Sequence, residues 1–157
     1  MERKLYEANR FDIAGEPAIT PRNAAAGTTS SGWFGMTMYD RAEFILIGGA
    51  ANDAGATIDA VVRQATSNAG AGAKALITQG LVTVAITQVT AGAGFATRSD
   101  LWILHVCVEE MDINAGFSHI QLQVTVSTAD TWYIGALCHR ETREYEAVPY
   151  AATEIVN

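Results

Sequence analysis

The chain has 157 residues, of which 49% are hydrophobic and 17% are charged, so a single domain of this size can bury a substantial core. Lysine occurs at two positions, Lys4 and Lys74, and the formal net charge is −7. Proteins that bind the phosphate backbone of nucleic acids need clustered lysine and arginine residues, so this composition argues against direct nucleic-acid binding.

The leading segment, residues 1–32, is predicted to be an extended arm. It contains Pro17, Pro21 and a stretch of small residues from 24 to 31, and no period of 2 or 3.6 persists along it. It also carries more apolar side chains than a solvated tail normally does. We therefore expect neighbouring molecules to cover its apolar residues, which are Leu5, Tyr6, Phe11, Ile13 and Ile19.

The same segment bears on location. No apolar stretch follows the charged first residues, and no run of about 18 uninterrupted apolar residues occurs in the chain. We expect a protein that is made in the cytosol, makes no membrane contact, and leaves the cell only as part of a particle.

Residues 33–148 are predicted to form a β-sheet body, with a short tail at residues 149–157. Runs rich in aromatic and β-branched residues predict strands at residues 33–38, 42–47, 57–66 and 81–87. Loops rich in glycine and alanine at residues 67–72 and 90–95 suit chain reversals.

The last third of the chain has the clearest alternation. Residues 101–110 and 119–126 each follow a period of two, and the reversal at residues 111–117 predicts that these strands are antiparallel neighbours. The side chains expected inside are Trp102, Leu104, Val106 and Val108 in the first run and Ile120, Leu122, Val124 and Val126 in the second. Residues 132–139 are apolar on both faces, as in a central strand. The predicted class is mostly β, an antiparallel β-sandwich or jelly-roll-like single domain.

Four residues could in principle hold zinc: His105, Cys107, Cys138 and His139. Structural zinc sites usually pair their ligands in close loops, whereas these residues lie inside predicted strands, where cysteine is routinely part of the core. A nucleophilic role for Cys107 also fails, because its neighbours are valine and glutamate and nothing there lowers a thiol pKa. We expect neither a metal site nor a disulfide.

Two further motifs are weak. The stretch GAGAKA at residues 70–75 lacks the Gly-Lys-Ser/Thr ending of a phosphate loop. Glu109, Glu110 and Asp112 lack the spacing of a calcium loop and are interpreted as a solvated strand end. We therefore predict no catalytic, metal-binding or cofactor-binding residues, no cofactor, and a protein that is not an enzyme.

Four sequence motifs occur in an order that is similar to the order in a known class of proteins. DRAEFIL at residues 40–46, TIDAVVRQA at 57–65, DINAGF at 112–117 and WYIGAL at 132–137, followed by Arg140 and REY at 143–145, occur in this order. The order resembles that of small virion proteins of tailed phages that are encoded near the capsid genes. The resemblance covers residues 40–145 and implies a structural place in a virus particle.

The favoured function is a capsid decoration or cement protein that binds the major capsid lattice and stabilises the shell. Its copies are expected to cluster as symmetric trimers, with each arm reaching across neighbouring capsid subunits. The alternative is a neck or tail protein that forms a ring, whose acidic lumen would let DNA slide. A third hypothesis is a carbohydrate-binding or hydrolytic β-sandwich at the particle surface, which stacks sugars on Trp33, Trp102 or Trp132. The expected location is the virion, assembled in the host cytoplasm.

Overall fold

The computed structural model describes residues 9–12, 19–52, 55–77, 84–90 and 100–142, and its strands form one antiparallel sheet. In chain order the strands are β1 (Asn9–Asp12), β2 (Arg22–Ser30), β3 (Phe34–Gly35), β4 (Tyr39–Ala51), β5 (Thr57–Ala65), β6 (Lys74–Ala75), β7 (Ala85–Thr90), β8 (Asp100–Cys107) and β9 (His119–Thr142). Two short 3-10 helices, Val108–Glu110 and Ile113–Ala115, lie between β8 and β9. Among the described residues, no helix has the length and apolar character needed to cross a membrane.

Strand β9 is 24 residues long and organises the sheet. One of its edges pairs with β5 along its first part and with β4 along its second part, while the other edge pairs with β3, β2 and β1. Strand β8 extends the sheet beyond β4, and β6 and β7 pair with β5. The sheet therefore curls into a half-barrel. It has two halves: one contains β3, β5 and the first part of β9, and the other contains β1, β4, β8 and the second part of β9.

The core lies inside this curl. Burial alternates along β4 and β5, as the period of a pleated strand requires, and the buried residues of both halves form one cluster. The Phe34 and Phe44 rings, one from each half, meet edge to face with centroids 5.7 Å apart. The predicted class, mostly β and antiparallel, is confirmed, and so is the predicted inner stripe of Ile120, Leu122, Val124 and Val126.

Two predicted connections differ from the structure. Residues 119–126 and 132–139 were expected as separate strands, but β9 continues through both, because residues 127–131 contain no glycine or proline that would end a strand. The expected pairing of residues 101–110 with residues 119–126 is wrong. Strand β8 pairs with β4, and the two 3-10 helices carry the chain across to the other half, where β9 begins beside β5. Gly116, at φ 84°, supplies the positive φ that the reversal needs.

The part of the predicted arm that the structure describes is built into the sheet. β1 and β2 both pair with β9, and Ile19 is 2% exposed within the core of its own chain. The Ile19 carbonyl oxygen accepts a hydrogen bond from the Ala136 amide at 2.9 Å. The sequence pattern did not indicate β2, because its side chains are small or polar and, apart from Ala24, are not buried.

Most of the other residues predicted for the arm and the tail lie outside the part of the chain that the structure describes. Leu5, Tyr6 and Ile13 lie outside the described residues, as does the tail at residues 149–157. Phe11 is placed by its backbone alone, opposite His139. Contact of Leu5, Tyr6, Phe11 and Ile13 with neighbouring molecules stays a prediction, whereas Ile19 is covered by its own chain.

Candidate interaction surface

Exposed apolar side chains concentrate on the outer side of β8, β4 and β9. Of the seven large hydrophobic residues that are exposed in the described part of the chain, four lie there: Leu101 at 61%, Ile103 at 57%, Ile47 at 42% and Tyr133 at 42%. A sheet that faces water normally carries polar residues on its outer side. A concentrated apolar area on a folded protein usually marks a surface that another molecule covers.

The strand register brings these side chains into rows. Ile103, Ile45 and Leu137 stand side by side across β8, β4 and β9, and Leu101, Ile47 and Gly135 form the next row. Directly opposite residues of neighbouring strands point to the same side of the sheet. Tyr133 extends the same side along β9. These six residues are called the apolar face below: Ile45, Ile47, Leu101, Ile103, Tyr133 and Leu137.

Two polar rows continue the same side toward the end of β8. His105, Glu43 and His139 form one row, and Cys107, Arg41 and Glu141 form the next. The Glu43 carboxylate lies 3.5 Å from Nδ1 of His105 and 3.5 Å from Nδ1 of His139. The outer side is thus divided into an apolar half without charge and a polar half that can orient a partner.

The zinc candidates do not converge. Cys107 lies on the outer side, with its Sγ 3.4 Å from Nε2 of His105, whereas Cys138 points into the core. Burial raises the pKa of the Cys138 thiol to about 12. Burial and then the Glu110 carboxylate also raise the pKa of the Cys107 thiol. In the described part of the chain, no cluster of histidine, cysteine and acidic residues is suited to a metal ion.

Two of the acidic residues after β8, Glu110 and Asp112, have structural partners. The Glu110 carboxylate accepts a hydrogen bond from the Cys107 amide at 3.1 Å. Asp112 accepts hydrogen bonds from Lys74 at 2.6 Å and from the buried Gln64 at 2.8 Å, and the bond from Lys74 is the main cause of its lowered pKa. These groups line a cleft of about 700 Å³ beside the 3-10 helices. Their contacts tie the 3-10 helices to β5 and β6.

The tryptophans are only partly available to a ligand. Trp132 is buried, and its Nε1 donates a hydrogen bond to the Gly49 carbonyl oxygen at 2.9 Å. Trp33 packs against Gly70, and Trp102 packs against Gly48. A sugar-stacking platform needs a ring with an open face, which the Trp132 position does not provide.

Sequence reasoning missed the apolar face. It assigned Ile103, His105 and Cys107 to one side of a strand but gave that side no role. The signal was present in LWIL at residues 101–104, which is apolar on both sides of the strand. Such a run is also typical of a strand buried on both sides, so the sequence could not distinguish a covered side from an exposed one.

No protein-family model matches the chain, and no curated protein matches it in sequence. Among solved structures, it is similar to part of a chain in the structure of the Gx strain of infectious bursal disease virus, at 11% identity and a TM-score of 0.48, over 88% of this chain and 32% of that one. It is also similar to the Gt strain structure, at 14% identity and a TM-score of 0.41, over 79% and 32% of the two chains. The crystal structure of a VP2 subviral particle of the same virus matches at 14% identity and a TM-score of 0.36, again over 79% and 32%. The chain spans about a third of the length of each of these chains. At such scores the likeness carries no argument about function or partners.

Proposed function

We propose that this protein is a structural component of a virus particle, which acts by binding other virion proteins through its apolar face and catalyses no reaction. The observation that carries the proposal is the exposure of Leu101, Ile103, Ile47 and Tyr133 on a sheet whose other side is the core. The sheet already holds the backbone of these residues in place, so covering them costs side-chain rotamer freedom but little backbone entropy.

The chemistry of the face indicates its partner. Its two central rows carry no charged residue, so the complementary surface must itself be apolar. If the four exposed side chains each bury roughly 100 Å², the gain is on the order of 10 kcal/mol before ordering costs. Repetition of this contact over many copies would make release slow. These properties favour a decoration or cement protein on a capsid lattice.

The motif order supports the same class. The runs at residues 40–46, 57–65, 112–117 and 132–137 resemble those of tailed-phage virion proteins. Three of these runs fall in β4, β5 and β9, which build the sheet, and the fourth contains the second 3-10 helix. We propose the tailed-phage capsid as the particle, the major capsid protein as the partner, and the host cytoplasm as the place of assembly.

The test is the copy number of the chain in purified particles, measured by quantitative mass spectrometry and by cryo-electron microscopy. A decoration protein is expected in hundreds of copies, as density on the outer shell. Absence of the chain from the purified particle would overturn the proposal.

A ring protein of the neck or tail is the second candidate. One observation favours it: β8 is the last strand on its side of the described sheet, so strands of adjacent subunits could pair there. A ring is expected in a small multiple of its symmetry, at one vertex of the shell. Copy number therefore separates the two candidates.

A further inference from the structure

Strand β8 forms an edge of the sheet. Among the strands that the structure describes, β8 pairs with β4 alone, and the register runs from Arg41 opposite Cys107 to Gly48 opposite Asp100. In an antiparallel ladder, alternate residues direct their backbone groups to the neighbour, and the residues between them direct theirs outward. The outward groups of an edge strand are open to a further strand.

One hydrogen bond shows which residues point outward. The Cys107 amide donates to the Glu110 carboxylate, so it is directed away from β4. By alternation, Leu101, Ile103 and His105 also direct their backbone groups to the open edge. The pairing of β4 with β9 agrees with this direction. The Ala136 amide donates to Ile19 and not to β4, so Leu46, which lies opposite Ala136, directs its backbone groups to Trp102 of β8. The neighbours of Trp102 in β8 therefore direct theirs outward. Each residue has one N–H and one C=O, so these three residues present three donors and three acceptors.

Within residues 101–107, the β8 edge lacks three features that normally prevent pairing. Between Leu101 and Cys107 there is no proline, lysine or bulge, and the outer side chains of Leu101 and Ile103 are apolar and exposed. Strand β2, which borders the sheet beside β9, differs in this respect. Pro21 precedes it, and its register with β9 shifts between Ala25 and Gly27.

We infer that two copies of this chain pair antiparallel through β8, with Ile103 on the two-fold axis. In this register Leu101 of one copy lies opposite His105 of the other, and Ile103 lies opposite its own counterpart. All three outward donors and all three outward acceptors of each copy then find partners. The pairing ends beside Cys107, whose amide is already bound by Glu110.

Other registers satisfy fewer groups. A shift that places Leu101 opposite Cys107 brings the Leu101 carbonyl to an amide that Glu110 occupies. A shift in the opposite direction leaves His105 beyond the end of the partner's β8. The register centred on Ile103 is the one that uses the full open stretch of both strands, which is the reason to assign the edge to a second copy.

The side chains fit this register. Ile103 meets Ile103 on the outer side, and the half-buried Trp102 meets Leu104 on the inner side. The apolar faces of the two copies join across the axis into one surface of twice the size. The pair goes beyond the proposed function, because it concerns contact between copies rather than contact with a lattice, and it is two-fold where the sequence favoured trimers.

The test is the oligomeric state of the full chain, measured by sedimentation velocity and native mass spectrometry over a range of concentrations. The Ile103→Pro variant removes an outward N–H that makes no bond to β4, so the sheet should survive while the pair is lost. The control is Ile47→Lys, which alters the apolar face in β4 but leaves the edge intact. We expect dimers for the wild type and for Ile47→Lys, and monomers for Ile103→Pro with an unchanged circular dichroism spectrum.

A second measurement does not depend on any variant. In the wild type, amide hydrogen exchange at Leu101, Ile103 and His105 should slow as concentration rises, whereas exchange at Cys107 should stay constant. Any of four results would overturn the inference. They are a monomeric wild type, a closed ring, a dimer that survives Ile103→Pro, and exchange at the three edge amides that does not depend on concentration. Both experiments use the isolated chain, so their failure is distinguishable from absence of the protein from a particle.

Discussion

Gly48 of β4 lies directly beneath the indole ring of Trp102 on β8, and a Cβ atom at Gly48 would approach Cζ3 of Trp102 to 2.5 Å. No real Cβ contact is that short, so the ring can occupy its position only because residue 48 has no side chain. This contact adds side-chain packing to the β4–β8 pairing that holds the edge strand in the sheet. It therefore supports both the apolar face and the open edge.

The Gly48→Ala variant should displace Trp102 and destabilise the protein by about 1–3 kcal/mol, the usual cost of overpacking. Chemical denaturation followed by tryptophan fluorescence measures this change. The matched control is Gly35→Ala, where a Cβ would meet His119 at an ordinary 3.7 Å. Equal stability of the two variants would show that Trp102 is not held by this contact.

Arg140 ties β9 to β3. It is 8% exposed, its guanidinium donates a hydrogen bond to the Gly35 carbonyl oxygen at 2.6 Å, and it lies over the Tyr39 ring at 4.3 Å. Arg140→Met should lower the free energy of unfolding by about 1–3 kcal/mol, because it removes a charge-assisted hydrogen bond in a buried setting. Arg22→Met is the control, since the bond from Arg22 to Thr29 is exposed and should contribute little. A loss that is no larger for Arg140 than for Arg22 would contradict this account.

The buried thiol of Cys138 predicts a loss of stability at alkaline pH. Burial raises the Cys138 pKa from an ordinary 9.0 to about 12. Below pH 9 the thiol is neutral in both states, and between pH 9 and 12 it ionises only on unfolding, so its contribution is lost as pH rises through that window. Urea titrations from pH 8 to 11 should show a steeper fall for the wild type than for Cys138→Ala, by roughly 1 kcal/mol per pH unit. Parallel pH profiles would mean that the thiol ionises equally easily in the folded protein.

Two truncations separate the roles of the leading segment. Removal of residues 1–32 takes away β1 and β2, which pair with β9, and also Ile19 and Ala24 of the core, so this variant should unfold or aggregate. Removal of residues 1–8 leaves every described strand in place. If Leu5 and Tyr6 contact neighbouring subunits, the shorter truncation should keep its melting temperature and bind capsids more weakly. Undiminished binding would remove these two residues from the interface.

The sequence predicted the fold where one side of a strand is buried. Aromatic and β-branched composition indicates β4 and β5. Alternation indicates β8 and the first part of β9, because the core selects apolar side chains at every second position. It could not indicate β2, whose place depends on backbone hydrogen bonds to β9 rather than on side-chain burial. The partners of each strand were equally hidden, because pairing of distant segments is set by the packing of the whole sheet.

The candidate site was hidden for a related reason. Leu101 and Ile103 stand in a run that is apolar on both sides, and only the sheet order places β8 at an edge. The role of Glu110 is visible only in the folded chain, where its carboxylate accepts a hydrogen bond from the amide of Cys107, three residues earlier. From the sequence, the acidic residues after β8 were interpreted as solvated. In the structure, Glu110 caps the end of β8 by binding the Cys107 amide.

Binding of the Ile47→Lys variant to capsid shells that lack this protein tests the central claim most directly. Ile47 lies in the middle of the apolar face and away from the β8 edge, so a lysine there places a charge in the contact without disturbing the strand pairing proposed for β8. Ala25→Lys, on the exposed strand β2, is the control. Cosedimentation with the shells should be lost for Ile47→Lys and kept for Ala25→Lys, with both variants folded. Equal binding of the two variants would contradict the claim that the apolar face contacts the particle.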